Sequence, residues 1–102
     1  MANKYKAVRT TIDNIEFASK REAQRYADLK LLERAKKISA LTLQPKYTVA
    51  INGIHCFNYF ADFSYLEDGE RVTEDAKGMR TDAYKIKKRC VEAAYGIKIR
   101  EV

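Results

Sequence analysis

The chain has few of the residues that build metal clusters and covalent cross-links. Its 102 residues include one histidine, two cysteines, one proline and no tryptophan. A single histidine excludes histidine-based metal clusters, and the unpaired spacing of Cys56 and Cys90 argues against a structural zinc site. No apolar run is long enough to cross a bilayer, and no apolar segment follows the basic start at residues 1–6. We therefore expect a cytoplasmic protein without a signal peptide or a membrane partner.

The composition is that of one folded, basic domain. Hydrophobic residues make up 46% and charged residues 33% of the chain, which is typical of a globular protein, and we assign residues 1–102 to a single domain. The net charge of +6 and the pI near 9.4 favour an anionic partner, with nucleic acid as the first choice. A generally basic, soluble surface would give the same charge, so charge alone does not decide.

The pattern of turns and apolar residues predicts a mixed α/β fold. We expect a strand or hairpin at residues 5–17, a helix at 19–37, strands at 41–51, 57–66 and 71–77, a helix from 81 or 82 to 95, and a strand at 97–102. The Asn52-Gly53 turn predicts an antiparallel hairpin. A helix between the last two strands predicts a parallel crossover, so the sheet is mixed and is flanked by two helices.

Capping signals and apolar spacing define both helices. Ser19 is an N-cap residue with Glu22 three positions later, and Gly96 is a C-cap for the second helix. Apolar residues recur at spacings of three and four along each helix. These spacings predict one buried stripe on the first helix (Ala23, Ala27, Leu31, Ala35, Ile38) and one on the second (Ile86, Cys90, Ala93, Ala94).

Two carboxylates and one ammonium stand in strand-like segments. Asp62 interrupts the apolar run 58–66, and Asp75-Ala-Lys77 follows it on the next strand. Residues i and i+2 of a strand share a face, so Asp75 and Lys77 point into one pocket while Glu74 points the other way. Charged groups in such segments are costly to bury without a partner. We therefore choose Asp75, and not Glu74, as the partner of Asp62.

This arrangement predicts a site for a hard cation. Two carboxylates held close together repel each other unless a positive charge lies between them, and Mg²⁺ takes carboxylate and carbonyl oxygens while keeping several waters. We expect Asp62, Asp75 and the backbone carbonyl of Ala76 to be ligands of Mg²⁺ or Mn²⁺. Lys77 would orient or deprotonate a water, or neutralise charge on a phosphate. A plain surface ion pair between Asp75 and Lys77 is the competing interpretation.

Glu22 has two interpretations. As the third residue after Ser19 it can close a capping box, which is the simpler role. It also lies at the edge of the buried face, so it can look towards the sheet and take part in the acidic site as a further metal ligand.

The order of these segments resembles the PD-(D/E)XK nuclease superfamily. Its members have a helix carrying an acid, a hairpin strand bearing Asp, a strand bearing (D/E)-x-K, then a helix and a strand. The matching segments are 17–22, 43–46, 59–63 and 74–78 with Tyr84, and they look like a small, largely phage-encoded family of endonucleases and Holliday-junction resolvases. Ala61 stands where the superfamily's name has proline.

The resemblance implies a restriction-endonuclease-like core with αβββαβ order and an extra N-terminal strand or hairpin. It implies a metal-dependent endodeoxyribonuclease, acting in a bacterial or phage-infected cell on DNA that can be branched. By position, Asp62 and Asp75 look like the metal ligands, Lys77 like the catalytic lysine and Glu22 like the assisting acid. Gln44 can also reach this site, although an ordinary strand residue is the simpler interpretation.

Basic residues next to this segment supply a DNA-binding surface. Lys85, Lys88 and Arg89 share one face of the second helix, and Arg80 in the preceding loop can join them. A solvated helix face explains the same pattern. Lys20, Arg21 and Arg25 on the first helix form a second group that we interpret as plain surface. We assign the abundant tyrosines to core packing rather than to base stacking.

Three classes of function remain in competition. A nuclease that cuts two strands would need two protomers, so a homodimer is an expected assembly. A non-catalytic nucleic-acid-binding module with the same fold is the alternative, although it has no need for Asp62, Asp75 and Lys77 together. A basic, RNA-associated structural protein would leave Asp62 and Asp75 unexplained.

Overall fold

The computed structural model describes residues 9–76 and 80–102, which form two helices and eight strands. The strands are β1 (Thr10–Ile12), β2 (Ile15–Phe17), β3 (Ser39–Leu43), β4 (Lys46–Ile51), β5 (Ile54–Phe60), β6 (Phe63–Glu67), β7 (Glu70–Asp75) and β8 (Ile99–Glu101). The helices are α1 (Lys20–Arg34) and α2 (Asp82–Tyr95). Residues 5–8 of the predicted first strand, and Lys77 and Gly78, lie outside the described residues.

A four-stranded mixed sheet forms the centre of the protein. Its strand order is β3-β6-β7-β8, with antiparallel pairing except between β7 and β8, which run parallel. The predicted crossover through α2 is therefore confirmed, as is the mixed α/β class. Two separate hairpins, β1–β2 and β4–β5, accompany this sheet.

Each face of the sheet has its own core. One core joins α1 and the β1–β2 hairpin to β6 through buried residues that include Tyr26, Leu29, Phe63 and Tyr65. The other core joins α2 and the β4–β5 hairpin to β8, with Val49, Tyr59, Tyr84, Val91 and Ile99 at its centre. Four of the seven tyrosines are buried in these cores, which confirms their packing role.

The helix boundaries follow the predicted caps. The Ser19 Oγ accepts the Glu22 N–H at 3.2 Å, and the Thr81 Oγ1 accepts the Tyr84 N–H at 3.0 Å. Gly96 takes the left-handed conformation (φ 65°) that ends α2, which an L side chain would strain. The first helix ends at Arg34, three residues earlier than predicted.

The predicted buried faces of the two helices are only partly confirmed, because Ala23 and Ile38 are buried whereas Leu31 and Ile86 are exposed. In α1 the buried residues are Glu22, Ala23, Tyr26 and Leu29, whereas Leu31 is 62% exposed. In α2 the buried residues are Tyr84 and Val91, whereas Ile86 is 64% exposed. The large side chains determine which face is buried, because Tyr26 of α1 and Tyr84 of α2 each pack into a core and set the orientation of the helix. Cys90 is only partly buried, and Ala93 and Ala94 are exposed.

Two long predicted strands are each broken into two. Residues 41–51 form β3 and β4 with a break at Gln44-Pro45, and residues 57–66 form the end of β5 and β6 with a break at Ala61-Asp62. The breaks face each other, because the Ala61 N–H donates to the Pro45 carbonyl at 3.1 Å. The result is one long hairpin that bends in the middle.

Candidate functional site

The bend of the hairpin holds Asp62. Gln44 takes a left-handed conformation (φ 49°), which turns the chain just before Pro45. Its N–H donates to the Asp62 carbonyl at 2.9 Å, so the two strands stay joined across the bend. Asp62 therefore lies between β5 and β6. The sequence pattern had predicted a position inside one continuous strand, and that prediction is wrong.

Asp62 is tied to the end of β7. Its N–H donates to the Glu74 carbonyl at 3.0 Å, and its Oδ2 accepts the Ala76 N–H at 2.7 Å. The antiparallel pairing of β6 with β7 brings these residues together, with Phe63 opposite Glu74. Asp62 and Ala76 therefore meet as predicted, whereas Asp75 is not among the residues that line the pocket of Asp62, and Lys77 lies outside the described residues.

Asp75 is fully buried at the β8 side of β7. It lies opposite Glu101 in the parallel register and shares a face with Thr73 and Ile99, which belongs to the core beneath α2. Burial raises the pKa of the nearby Tyr84, and so do its hydrogen bond to Glu101 at 2.8 Å and the charge of Asp75. The carboxylate therefore belongs to a buried polar group around Tyr84.

Glu22 and Asp62 line the same pocket. This pocket has a volume of about 260 Å³ and lies between β2, the start of α1 and the bend of the hairpin. Gln44 contributes to its wall, together with Ile15, Glu16, Phe17 and Leu43. Glu22 is only 8% exposed, and its N–H completes one half of the capping box with Ser19. The Ser19 hydroxyl thus caps the Glu22 N–H, while Glu22 also lines the pocket of Asp62.

The oxygen donors near this pocket suit a hard cation in kind. Mg²⁺ and Mn²⁺ prefer carboxylate and carbonyl oxygens, and Asp62, Glu22 and the Ala76 backbone offer both. Within residues 9–76 and 80–102, however, no group of three or more histidine, cysteine, aspartate or glutamate side chains gathers closely enough to hold an ion. The donors thus suit a hard cation in their chemistry, and the described side chains alone do not form a complete set of ligands.

The prediction that Glu74 points away from Asp75 is confirmed, but its partners were not predicted. Arg25 of α1 grips the buried Glu74 carboxylate with two hydrogen bonds, from Nε to Oε1 at 2.8 Å and from Nη2 to Oε2 at 2.6 Å. Tyr65 also donates to Glu74, and Arg100 donates to Tyr65. These contacts raise the pKa of Arg25, and burial with the Glu74 bond raises the pKa of Tyr65 to about 12.

Arg25 is therefore not a plain surface residue, and that interpretation of the sequence is wrong. The signal in the sequence was a second acid in the buried strand, since Glu74 needs a cation as much as Asp75 does. Which of the basic residues reaches it depends on how α1 packs on the sheet, and that packing is a tertiary feature. The ion pair fixes the start of α1 against the strand that carries Asp75.

The four predicted DNA-binding residues lie together. Arg80, Lys85, Lys88 and Arg89 line one groove of about 400 Å³ along α2. Glu101 lies in this groove, where its carboxylate is 3.1 Å from the Arg80 Nε and 4.0 Å from the Lys88 Nζ. Lys85 and Arg89 are exposed to solvent. In this groove, Lys85 and Arg89 present their charges to solvent, whereas Arg80 and Lys88 are ion-paired with Glu101.

The fold and the site define a small mixed α/β protein with an acidic pocket at a hairpin bend and a basic groove along its second helix. The family described as "Protein of unknown function (DUF1064)" matches residues 2–101. The chain therefore belongs to the DUF1064 family. Neither the curated proteins nor the solved structures contain a significant match to it. Among the described residues, neither helix is long and apolar enough to cross a bilayer.

Proposed function

We propose that the protein is a metal-dependent endodeoxyribonuclease with a restriction-endonuclease-like core that hydrolyses DNA phosphodiester bonds. The observation that carries this proposal is the pocket shared by Glu22 and Asp62, joined to the end of β7 by the 2.7 Å hydrogen bond from Ala76. A helix acid and a hairpin acid beside a strand that ends at Asp75, with Lys77 two positions later in the sequence, have the order of a PD-(D/E)XK site. Branched DNA, such as a four-way junction, is the proposed substrate.

The roles of the residues are those that the resemblance to PD-(D/E)XK nucleases implies. Asp62, Asp75 and the Ala76 carbonyl would hold Mg²⁺ or Mn²⁺, with Glu22 assisting. When bound, the ion supplies Lewis-acid chemistry and lowers the pKa of a coordinated water. The hydrogen bond from the Ala76 N–H helps to fix the carboxylate of Asp62, which lines the pocket. Lys77 would take the proton of the attacking water or stabilise charge on the phosphate.

The basic groove along α2 would hold the DNA backbone. Lys85 and Arg89 present their charges to solvent, where they can meet phosphates that flank the cut bond. Such contacts position DNA without reading its sequence. One protomer offers one site, so cutting two strands would need a homodimer.

A cleavage panel tests the proposal. Purified protein with Mg²⁺ or Mn²⁺ is incubated with four-way junction, flap, duplex and single-stranded DNA, and EDTA is added to parallel samples. We expect metal-dependent cleavage that falls at least ~100-fold in Asp62→Asn and in Lys77→Ala. Asp68→Asn, which changes an exposed acid in the β6–β7 turn, should cut like the wild type.

Each result of the panel has a meaning. Preference for the junction supports a resolvase, whereas equal cutting of all substrates indicates a general nuclease. Full activity of Asp62→Asn and Lys77→Ala, with circular dichroism showing folded protein, would remove the proposed site. Asp75→Ala is a further test, and its thermal melting must be checked because Asp75 is fully buried.

A non-catalytic nucleic-acid-binding module is the second candidate. It is favoured by the basic groove, which needs no metal, and by the lack of a three-ligand cluster among the residues that the structure describes. DNA affinity that persists in EDTA, with no cleavage in any metal, would select this function.

A further inference from the structure

The tip of the β4–β5 hairpin carries two exposed isoleucines. Ile51 is 61% exposed and Ile54 is 70% exposed, and they pair with each other across the Asn52-Gly53 turn. Both turn residues have positive φ (51° and 79°), as in the tight turns that close hairpins. Open space surrounds Gly53: among the described residues, no atom beyond its chain neighbours lies within 4 Å of where a Cβ would stand. The tip therefore projects into solvent.

The hairpin packs against α2 along most of its length and leaves its end exposed. Val49 and Tyr59 are buried against α2, and Lys87 of α2 lies over the ring of Phe57 at 5.7 Å. Ile51 lies six residues beyond Pro45, which places the tip roughly 20 Å from the bend. The hairpin thus presents two neighbouring apolar side chains at its exposed end, as an interaction site would.

The charge of the hairpin indicates what kind of partner it meets. Residues 46–60 include no aspartate or glutamate, although the whole chain has 14 acidic residues. Lys46 is the one lysine of this segment and His55 its one histidine, and Lys87 of α2 lies beside it. An acid-free surface on a chain of net charge +6 attracts a polyanion and repels a second copy of itself. Nucleic acid is therefore the occupant that the charge favours.

We infer that the Ile51–Ile54 tip is an apolar wedge that enters DNA where the base stack is already open, so that branched or unpaired DNA is preferred over continuous duplex. Apolar side chains inserted between base steps must first unstack them. That cost is least where strands separate, as at a junction or a fork. The inference rests on the proposed function, because it assumes that DNA is the substrate.

A binding experiment tests the wedge without needing cleavage. The double variant Ile51→Thr/Ile54→Thr keeps β-branched residues in the hairpin while it removes the apolar tip. In EDTA, we expect its affinity for a four-way junction to fall ~10-fold and its affinity for a duplex to stay within about twofold. Leu31→Gln is the matched control, since Leu31 is 62% exposed on α1, and it should bind both DNAs like the wild type.

Two further readouts identify the occupant. With 2-aminopurine at the branch point, the wild type should raise the fluorescence by unstacking the base, and the double variant should not. An unchanged junction preference in the double variant would overturn the wedge. Sedimentation velocity would show whether the variant instead turns a dimer into monomers, which would assign the tip to a second copy and overturn the inference.

The failures of the two proposals are distinguishable. A wild type that binds no DNA of any shape would end both the proposed nuclease and the wedge. A wild type that binds and cuts DNA, beside a double variant with the same junction preference, would end the wedge alone.

Discussion

At the scale of single residues, the buried Glu74 carboxylate depends on its ion pair with Arg25. Glu74 is fully buried, and its carboxylate accepts hydrogen bonds from Arg25 and Tyr65, while the Arg100 guanidinium lies 4.0 Å away as a more distant ion pair. An isolated charge there would be costly, because the interior cannot solvate it as water does. Arg25 is thus needed because the Glu74 carboxylate is buried. The ion pair as a whole contributes less to stability than the loss of Arg25 alone would cost.

Replacing Arg25 by methionine should therefore lower the free energy of unfolding by about 3 kcal/mol. The side chain of Arg25 is 25% exposed, so water can solvate part of the charge left on Glu74. Urea denaturation measures the decrease. Arg34→Met, at the exposed end of α1, is the control and should change stability by less than about 0.5 kcal/mol.

The double variant Arg25→Met/Glu74→Met distinguishes two causes of the decrease: the loss of the attraction between the two side chains, and the unpaired carboxylate that remains buried. If the stranded carboxylate is the cause, the double variant should be more stable than Arg25→Met alone. A double variant that is less stable than either single variant would contradict this account, because removing Glu74 would then add a further loss of stability instead of relieving one.

At the scale of elements, local signals predicted where the helices begin and end, and they failed where partners matter. Ser19, Thr81 and Gly96 act within one turn of chain, so the sequence alone locates them. The break at Ala61-Asp62 has no such signal. It exists because the facing break at Gln44-Pro45 accepts and donates its hydrogen bonds, and that pairing joins residues about 17 positions apart.

The candidate site shows the same division. Alternation along a strand was enough to separate Asp75 from Glu74, because the two-residue period is local. It was not enough to show that Asp62 lies at a bend, or that Asp75 is buried beside Tyr84. The exposed Ile86 shows why apolar spacing alone is a poor guide here: the helix turns to bury Tyr84 and Val91 instead.

The start of α1 offers a test that separates capping from catalysis. Ser19→Ala removes the acceptor of the Glu22 N–H and should cost about 1 kcal/mol of stability while cleavage stays close to wild type. Glu22→Gln can still close a capping box, so its stability should hold while metal-dependent cleavage falls. Thermal melting and cleavage rates are measured on both variants. Equal stability losses with unchanged cleavage would leave Glu22 as a cap alone.

At the scale of the whole molecule, the positive charge is divided between paired and free groups. Much of it is used internally: Arg25 binds Glu74, Arg80 binds Glu101, and Lys30 binds Glu33. The excess of +6 must therefore lie on groups such as Lys85 and Arg89 that face solvent. A polyanion that binds through the groove would release counterions from those groups in particular.

Salt dependence should show whether the groove, or the net charge in general, attracts DNA. Neutralising Lys85→Gln/Arg89→Gln should make the slope of log affinity against log salt shallower by about 1 for each phosphate that no longer meets a cation, and so by about 2 in all. Lys36→Gln/Lys37→Gln makes the same change of charge on exposed residues after α1 and should leave the slope close to wild type. Binding is measured by fluorescence anisotropy in EDTA over a range of salt concentrations. If both double variants flatten the slope equally, DNA follows the overall charge, and the groove along α2 has no special place in binding it.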